Sequence, residues 1–346
     1  MKKRSYGVNI IIAIAFGIGV STLLVLKSDV KEVLRNFKYF SPISIFVFLS
    51  VFILGTILDS TRMLIVIRKS LNKTMNFLDS FYNNLMGYFF TLITPFALGG
   101  QVYQVFHMAK LGIKTEQATN VMMTRFVEYM MISTVFSLYG FFRYKDVFLA
   151  GTLVAPKLIV AGYMVSLSSM GFVFISMFYP IWMSKSLSKL KGVKPFHAMM
   201  RKITKKEDWD ESFTKWTLNL KKSVENLWLK DFHILMVDIT LNLVALLCQV
   251  LTLFLILKSI FHDLPLNFLD VAGIYFFLTL VIYYVPTPGA SGGVEAIYQL
   301  TLSSLLKNPS KTMTVVLMWR AITYYIPILM GLIALGIYKM PGPGEN

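Results

Sequence analysis

Apolar residues fall in long blocks, separated by short polar and basic stretches. A helix needs roughly 20 apolar residues to cross a hydrocarbon core about 30 Å thick. Six blocks reach that length, at residues 8–26, 42–67, 116–143, 156–182, 232–257 and 312–338. The first follows Met1-Lys2-Lys3-Arg4, and no small-x-small cleavage site precedes Lys27-Ser28. It is therefore expected as a retained helix and not a signal peptide.

Two further blocks are apolar but broken. Residues 80–94 end at Thr94-Pro95-Phe96-Ala97-Leu98-Gly99-Gly100-Gln101, and a short helix over about 101–110 returns to Lys110. Residues 268–285 end at Val285-Pro286-Thr287-Pro288-Gly289-Ala290-Ser291-Gly292-Gly293-Val294-Glu295, and a helix over about 294–306 returns to Lys307. Each arm is about half a membrane deep. Irregular backbone at that depth is tolerated only where protein buries it or it lines a watery cavity. The pattern predicts an all-α polytopic membrane protein in one domain over 1–346, with six full transmembrane helices and two re-entrant hairpins, 81–110 and 268–307.

Composition agrees. Hydrophobic residues make up 55% of the chain and mean hydropathy is +0.62, against about 45–50% apolar in soluble domains. The net charge of +16 changes the picture further. Twelve of the 34 Lys and Arg lie in 184–231, and most others flank spans, so the charge reads as topology signal and attraction to anionic lipid, not nucleic-acid binding. The positive-inside rule then places both termini and the 184–231 loop in the cytoplasm. The first hairpin enters from the cytoplasmic face and the second from outside. Within the loop, Trp209, Phe213, Trp216, Leu220, Val224 and Leu227 recur every three or four residues. That spacing predicts a basic amphipathic helix suited to the membrane interface. The single cysteine, Cys248, excludes an intrachain disulfide and a cysteine-based metal cluster. The four histidines are scattered and no P-loop is present, so neither a metal, a cofactor nor direct ATP coupling is expected.

A helix that starts inside the membrane aims unpaired N–H groups and a positive dipole end inward, where phosphate or carboxylate binds readily. Gly99-Gly100 and Gly292-Gly293 are placed to open two such helices, beside Gln101 and Glu295. Thr94, Pro95, Pro286, Pro288 and Gly289 form the breaks. Downstream, each unit has an arginine with a tyrosine one turn on: Arg125 with Tyr129, and Arg320 with Tyr324. The spacing is 25 positions from Gly100 to Arg125 and 27 from Gly293 to Arg320. Two similar units in opposite orientation are the inverted repeat of many transporters. The bland alternative is that glycine only permits close helix packing. Asp59, Arg62, Arg125, Glu128, Asp238, Glu295 and Arg320 sit within apolar spans, where charge facing lipid is costly. Internal pairing, Asp59 with Arg62 and Arg125 with Glu128, stands beside a substrate or proton-pathway role. Arg320 has no local acid, so Glu295, Asp59 or the substrate must neutralise it.

The second break, with Thr94-Pro95, Gly99-Gly100 and Arg125-Phe126-Val127-Glu128, resembles the lysylphosphatidylglycerol synthase transmembrane-region family over nearly the whole chain. The resemblance implies a multi-pass protein of a bacterial or archaeal cytoplasmic membrane that moves aminoacylated phosphatidylglycerol or a related lipid between leaflets. It also implies that Asp59 and Arg320 are buried charges worth testing. Two-part members carry a soluble aminoacyl-transferase domain, which this sequence lacks, so lysine transfer is not expected. The cargo is equally open to a polyprenyl-phosphate carrier or a glycolipid. An enzyme or accessory scaffold of lipid-linked glycan synthesis is the alternative. A homodimer, and a separate synthase or glycosyltransferase partner, stay open.

Overall fold

The computed structural model describes residues 29–149, 156–204, 207–283 and 285–339, together with Gly19, Thr22 and Leu26. The expected span at 8–26 falls almost wholly outside them. Short α1 (Val30–Asn36) is capped by Asp29, whose side chain accepts from the Glu32 backbone N–H. Among the described residues, five helices are long and apolar enough to cross a membrane: α2 (Pro42–Lys69), α5 (Thr115–Leu149), α6 (Pro156–Phe178), α10 (Phe232–Ile260) and α13 (Pro309–Ile337). They correspond to the other five predicted spans.

Each expected hairpin is two helices around a short 3₁₀ turn. The first is α3 (Phe77–Ile93) and α4 (Gly99–Lys110), joined through Pro95–Ala97. The second is α11 (Phe268–Ile282) and α12 (Gly293–Leu306), joined through Pro288–Ala290. Side-chain caps fix where they start. Asn76 accepts from the Asp79 N–H, and Asn267 and Asp270 cap each other reciprocally.

The basic segment forms α7 (Pro180–Ser188), α8 (Lys194–Thr204) and α9 (Trp209–Glu225). The α9 helix lies where the periodicity predicted it, but much of its apolar stripe turns onto protein. Leu220 and Val224 pack with Met177, Met123, Phe178 and Trp228, while Trp209 and Leu227 are also buried. Asn120 donates to the Ser223 carbonyl and hydroxyl at 3.0 Å, and Trp228 donates to Thr124 at 3.0 Å, which ties this segment to α5.

Helix neighbours come in matching sets. Helix α2 lies along α10. Helix α3 packs on the second half of α13, as α11 packs on α5. Helix α4 contacts α5, as α12 contacts α13. The two 3₁₀ turns pack against each other. Large apolar side chains stand exposed on the outer faces of the spans, among them Phe46, Val135, Phe142, Leu158, Phe172 and Leu329. In water such a surface would be a liability. In a bilayer it is the solvated face.

Candidate functional site

The sequence shared by the two breaks is longer than Pro with Gly-Gly. Thr94-Pro95-Phe96-Ala97-Leu98-Gly99-Gly100 and Thr287-Pro288-Gly289-Ala290-Ser291-Gly292-Gly293 both read Thr-Pro-x-Ala-x-Gly-Gly. Their backbones agree as well. Each Thr is extended, and the two residues after Pro have positive φ: 57° and 56° at Phe96 and Ala97, and 57° and 51° at Gly289 and Ala290. Three of these four are not glycine, and such residues rarely adopt that conformation. The repeated strain marks the breaks as one device used twice.

The glycines in the two breaks do different work. A Cβ at Gly100 would run into the Thr91 side chain and the Gly87 carbonyl of α3, so this glycine lets α4 cross α3 closely. The Gly99 N–H is taken by Thr94 Oγ1 at 3.0 Å. Gly292 has φ 85°, a conformation that excludes ordinary side chains, and its N–H donates to Glu295 Oε2 at 2.7 Å. The Gly292 donor at the mouth of α12 is thus held by the chain's own carboxylate. The nearest neighbour of a Cβ at Gly293 would be Val285, at 3.4 Å, an ordinary contact.

Around the first unit lies a polar cluster. Arg125 Nη2 meets Asp59 Oδ2 at 2.7 Å, its Nη1 donates to the Asp59 carbonyl at 3.1 Å, and Nη2 also reaches Asn84 Oδ1 at 3.2 Å. Arg62 Nε donates to Asp59 Oδ1 at 2.7 Å, while its Nη1 reaches Glu128 Oε2 at 2.7 Å and Asp238 Oδ1 at 3.1 Å. The Asp59–Arg62 pair thus forms as expected. Arg125 and Glu128 do not pair with each other. Side chains three apart on α5 point at different neighbours here, and each finds a better-placed partner on α2. Tyr88 and Gln249 continue the network, with Tyr275 donating to Gln249 at 2.9 Å.

This cluster opens on a cavity of about 280 Å³, near the low end of small-ligand pockets. Asp59, Arg62, Asn84, Tyr88, Gln101, Gln104, Arg125, Tyr129, Asn242 and Gln249 line it, with Phe126, Leu246 and Tyr283 supplying apolar wall. Asn242 is buried, and its side-chain nitrogen has no acceptor. Of the residues singled out from sequence, Asp59, Gln101, Arg125 and Tyr129 come together here, with Glu128 directly behind through Arg62.

The second cluster is separate and contributes no residue to that cavity. Arg320 Nε donates to Glu295 Oε1 at 2.8 Å, Nη2 donates to Ser291 Oγ at 3.2 Å, and the guanidinium lies 4.0 Å from the centre of the Tyr324 ring. Glu295, of the three partners the sequence left open, is the neutralising acid. The five residues after Arg320, Ala321–Tyr325, form a π-helical turn, a feature often found at functional sites.

Sequence reasoning missed Asn84, Tyr88, Gln104, Asn242 and Gln249 as lining residues. The signal was present. Asn84, Tyr88 and Thr91 recur every three or four residues on an apolar arm, as Asp238, Asn242 and Gln249 do at whole turns on α10. Among the described residues no group of acidic, histidine or cysteine side chains could hold a metal ion.

Spans, lipid-facing surface and a polar interior cavity together define a multi-pass helical membrane protein. The profile described as lysylphosphatidylglycerol synthase TM region matches residues 10–331, and the chain belongs to that family. Among curated proteins no sequence matches it significantly.

Proposed function

We propose that the protein moves a polar-headed lipid between leaflets: an anionic or aminoacylated phospholipid, or a polyprenyl-phosphate-linked lipid or glycolipid. One observation carries the reading. A cavity bounded by an Arg–Asp pair, amides and tyrosines lies among membrane spans beside a broken helix, which is where transporters place their sites. Family membership supports a lipid as cargo. The headgroup meets Arg125 and Asp59 while the acyl chains stay in lipid.

In this reading the two break units are an inverted repeat. The first hairpin enters from the cytoplasmic face and the second from outside, and their tips meet near mid-membrane. The shared Thr-Pro-x-Ala-x-Gly-Gly turns and the matching helix neighbours support it. The basic segment 184–231 lies in the cytoplasm and draws anionic lipid to that face. Liposomes carrying labelled lipids of several classes test the function. Faster leaflet exchange for at least one class is expected, and equal exchange with and without protein across all classes would sink it.

A further inference from the structure

Counted as ionised, the first cluster holds three carboxylates, Asp59, Glu128 and Asp238, against two guanidinium groups, Arg62 and Arg125. All five belong to spans and are buried or nearly so: their side chains are at most 13% exposed. Asp59 has its own pairs with both arginines. Glu128 and Asp238 have to divide one nitrogen, Arg62 Nη1. That leaves one negative charge in a medium that penalises it by several kcal/mol.

The geometry at Glu128 is telling. Its Oε1 is buried with no donor facing it, and its Oε2 shares Arg62 Nη1 with Asp238 Oδ1, at 2.7 and 3.1 Å. Two buried carboxylates gathered on one nitrogen repel unless one carries a proton. A proton on either acid removes that repulsion and brings the cluster to neutrality. The other charged groups acting on the pair are Arg62 and Asp59 from α2 and Arg125 from α5, with the Tyr88 hydroxyl of α3 on Asp59. Only Arg62 is bonded to Glu128 and Asp238; the charge of Arg125 is matched by its own pair with Asp59.

We propose that Glu128 and Asp238 are a proton-binding dyad that shares one exchangeable proton. Binding joins a proton from water to one carboxylate, and release returns it. Arg62 lines the cavity and contacts both acids, so the proton reaches bulk water past Arg62 and Asp59. Asn242, one turn beyond Asp238, stands at the cavity wall with its unused donor. The dyad borders the cavity used in the lipid-transport reading and rests on that reading only for its consequence, namely that lipid exchange responds to a proton gradient.

Infrared difference spectra between alkaline and neutral pH, on the purified full chain in lipid, test the dyad without any cargo. A carbonyl band of a protonated carboxylic acid, sensitive to deuteration, is expected in the unmodified protein and should be lost in both Glu128→Gln and Asp238→Asn. Absence of that band in folded protein, or its persistence in both variants, would overturn the dyad. Should either variant fail to fold, ¹³C labelling of aspartate or glutamate carboxylates in the unmodified chain assigns the band. A band that neither label shifts counts equally against the dyad. A band with no lipid exchange would leave the dyad standing and remove the transport reading; exchange without the band would do the reverse.

Discussion

Arg125 and Arg320 occupy corresponding places in two similar stretches of chain, yet one faces a cavity and the other is sealed. One position in the aligned units differs tellingly. Counted from the paired glycines, Glu295 in the second unit corresponds to Val102 in the first. Glu295 is fully buried, caps Gly292 and neutralises Arg320 within its own unit. Val102 has no charge to offer and is 70% exposed. Arg125 instead pairs with an acid outside its own unit, Asp59 of α2. That longer reach brings α2, α3, α5 and α10 around a polar space. One break unit thus satisfies its own arginine, while the other shares its arginine with a neighbouring span.

The largest test of this contrast is Glu295→Ala. It leaves the Arg320 guanidinium buried without its carboxylate and uncaps Gly292. Removing one partner of a buried pair costs roughly 3–5 kcal/mol, so a marked drop in melting temperature of the purified protein is expected. An unchanged melting temperature would mean that the second cluster is not a structural lock. Arg125→Ala should cost less stability, about 1.5–3 kcal/mol on the scale of hydrogen bonds to charged groups, since Arg62 still holds Asp59. Its main effect falls on lipid exchange in liposomes, with a fall of about tenfold or more, equivalent to roughly 1.4 kcal/mol. Exchange lost equally in a stable Arg320 variant, with Arg125→Ala silent, would reverse the assignment of roles.

Asn242→Leu probes the cavity wall more gently. It removes a buried donor that has no acceptor, so stability should hold or rise by up to about 1 kcal/mol, while lipid exchange slows. A large loss of stability would show that the donor is already in use. The smallest effect is expected far from both clusters, at the exposed Lys191–Asp210 pair, 2.8 Å apart. The hydrogen bond from Lys191 holds the Asp210 carboxyl below its usual range. A lowered folded-state value means that the contribution is fully present above the ordinary carboxylate range and is lost as pH falls below that range, through the lowered value. Asp210→Asn should leave the melting temperature unchanged at neutral pH, as surface pairs generally do. A drop comparable to that of Glu295→Ala would contradict the weight given to burial.

Much of this was legible from the chain alone. Five spans, both breaks and the amphipathic helix from Trp209 follow from apolar block length and spacing, because a bilayer demands a minimum run of apolar helix and punishes Pro-Gly interruptions. The buried charges were legible too, since any Asp, Glu or Arg within such a run must turn inward. What the sequence could not decide was who meets whom. Local spacing paired Arg125 with Glu128, but partners of buried charges are chosen by which helices cross. Arg125 went to Asp59, 66 positions away, and Glu128 to Arg62. The helix N-termini looked open for anions in sequence, whereas the fold gives the Gly292 donor to Glu295 and the Gly99 donor to Thr94. The same turn sequence appears twice in the chain. Only tertiary packing made one copy a closed ion pair and gave the other a neighbouring cavity, because hydrogen bonds and charge compensation are settled between helices, where sequence distance carries no information.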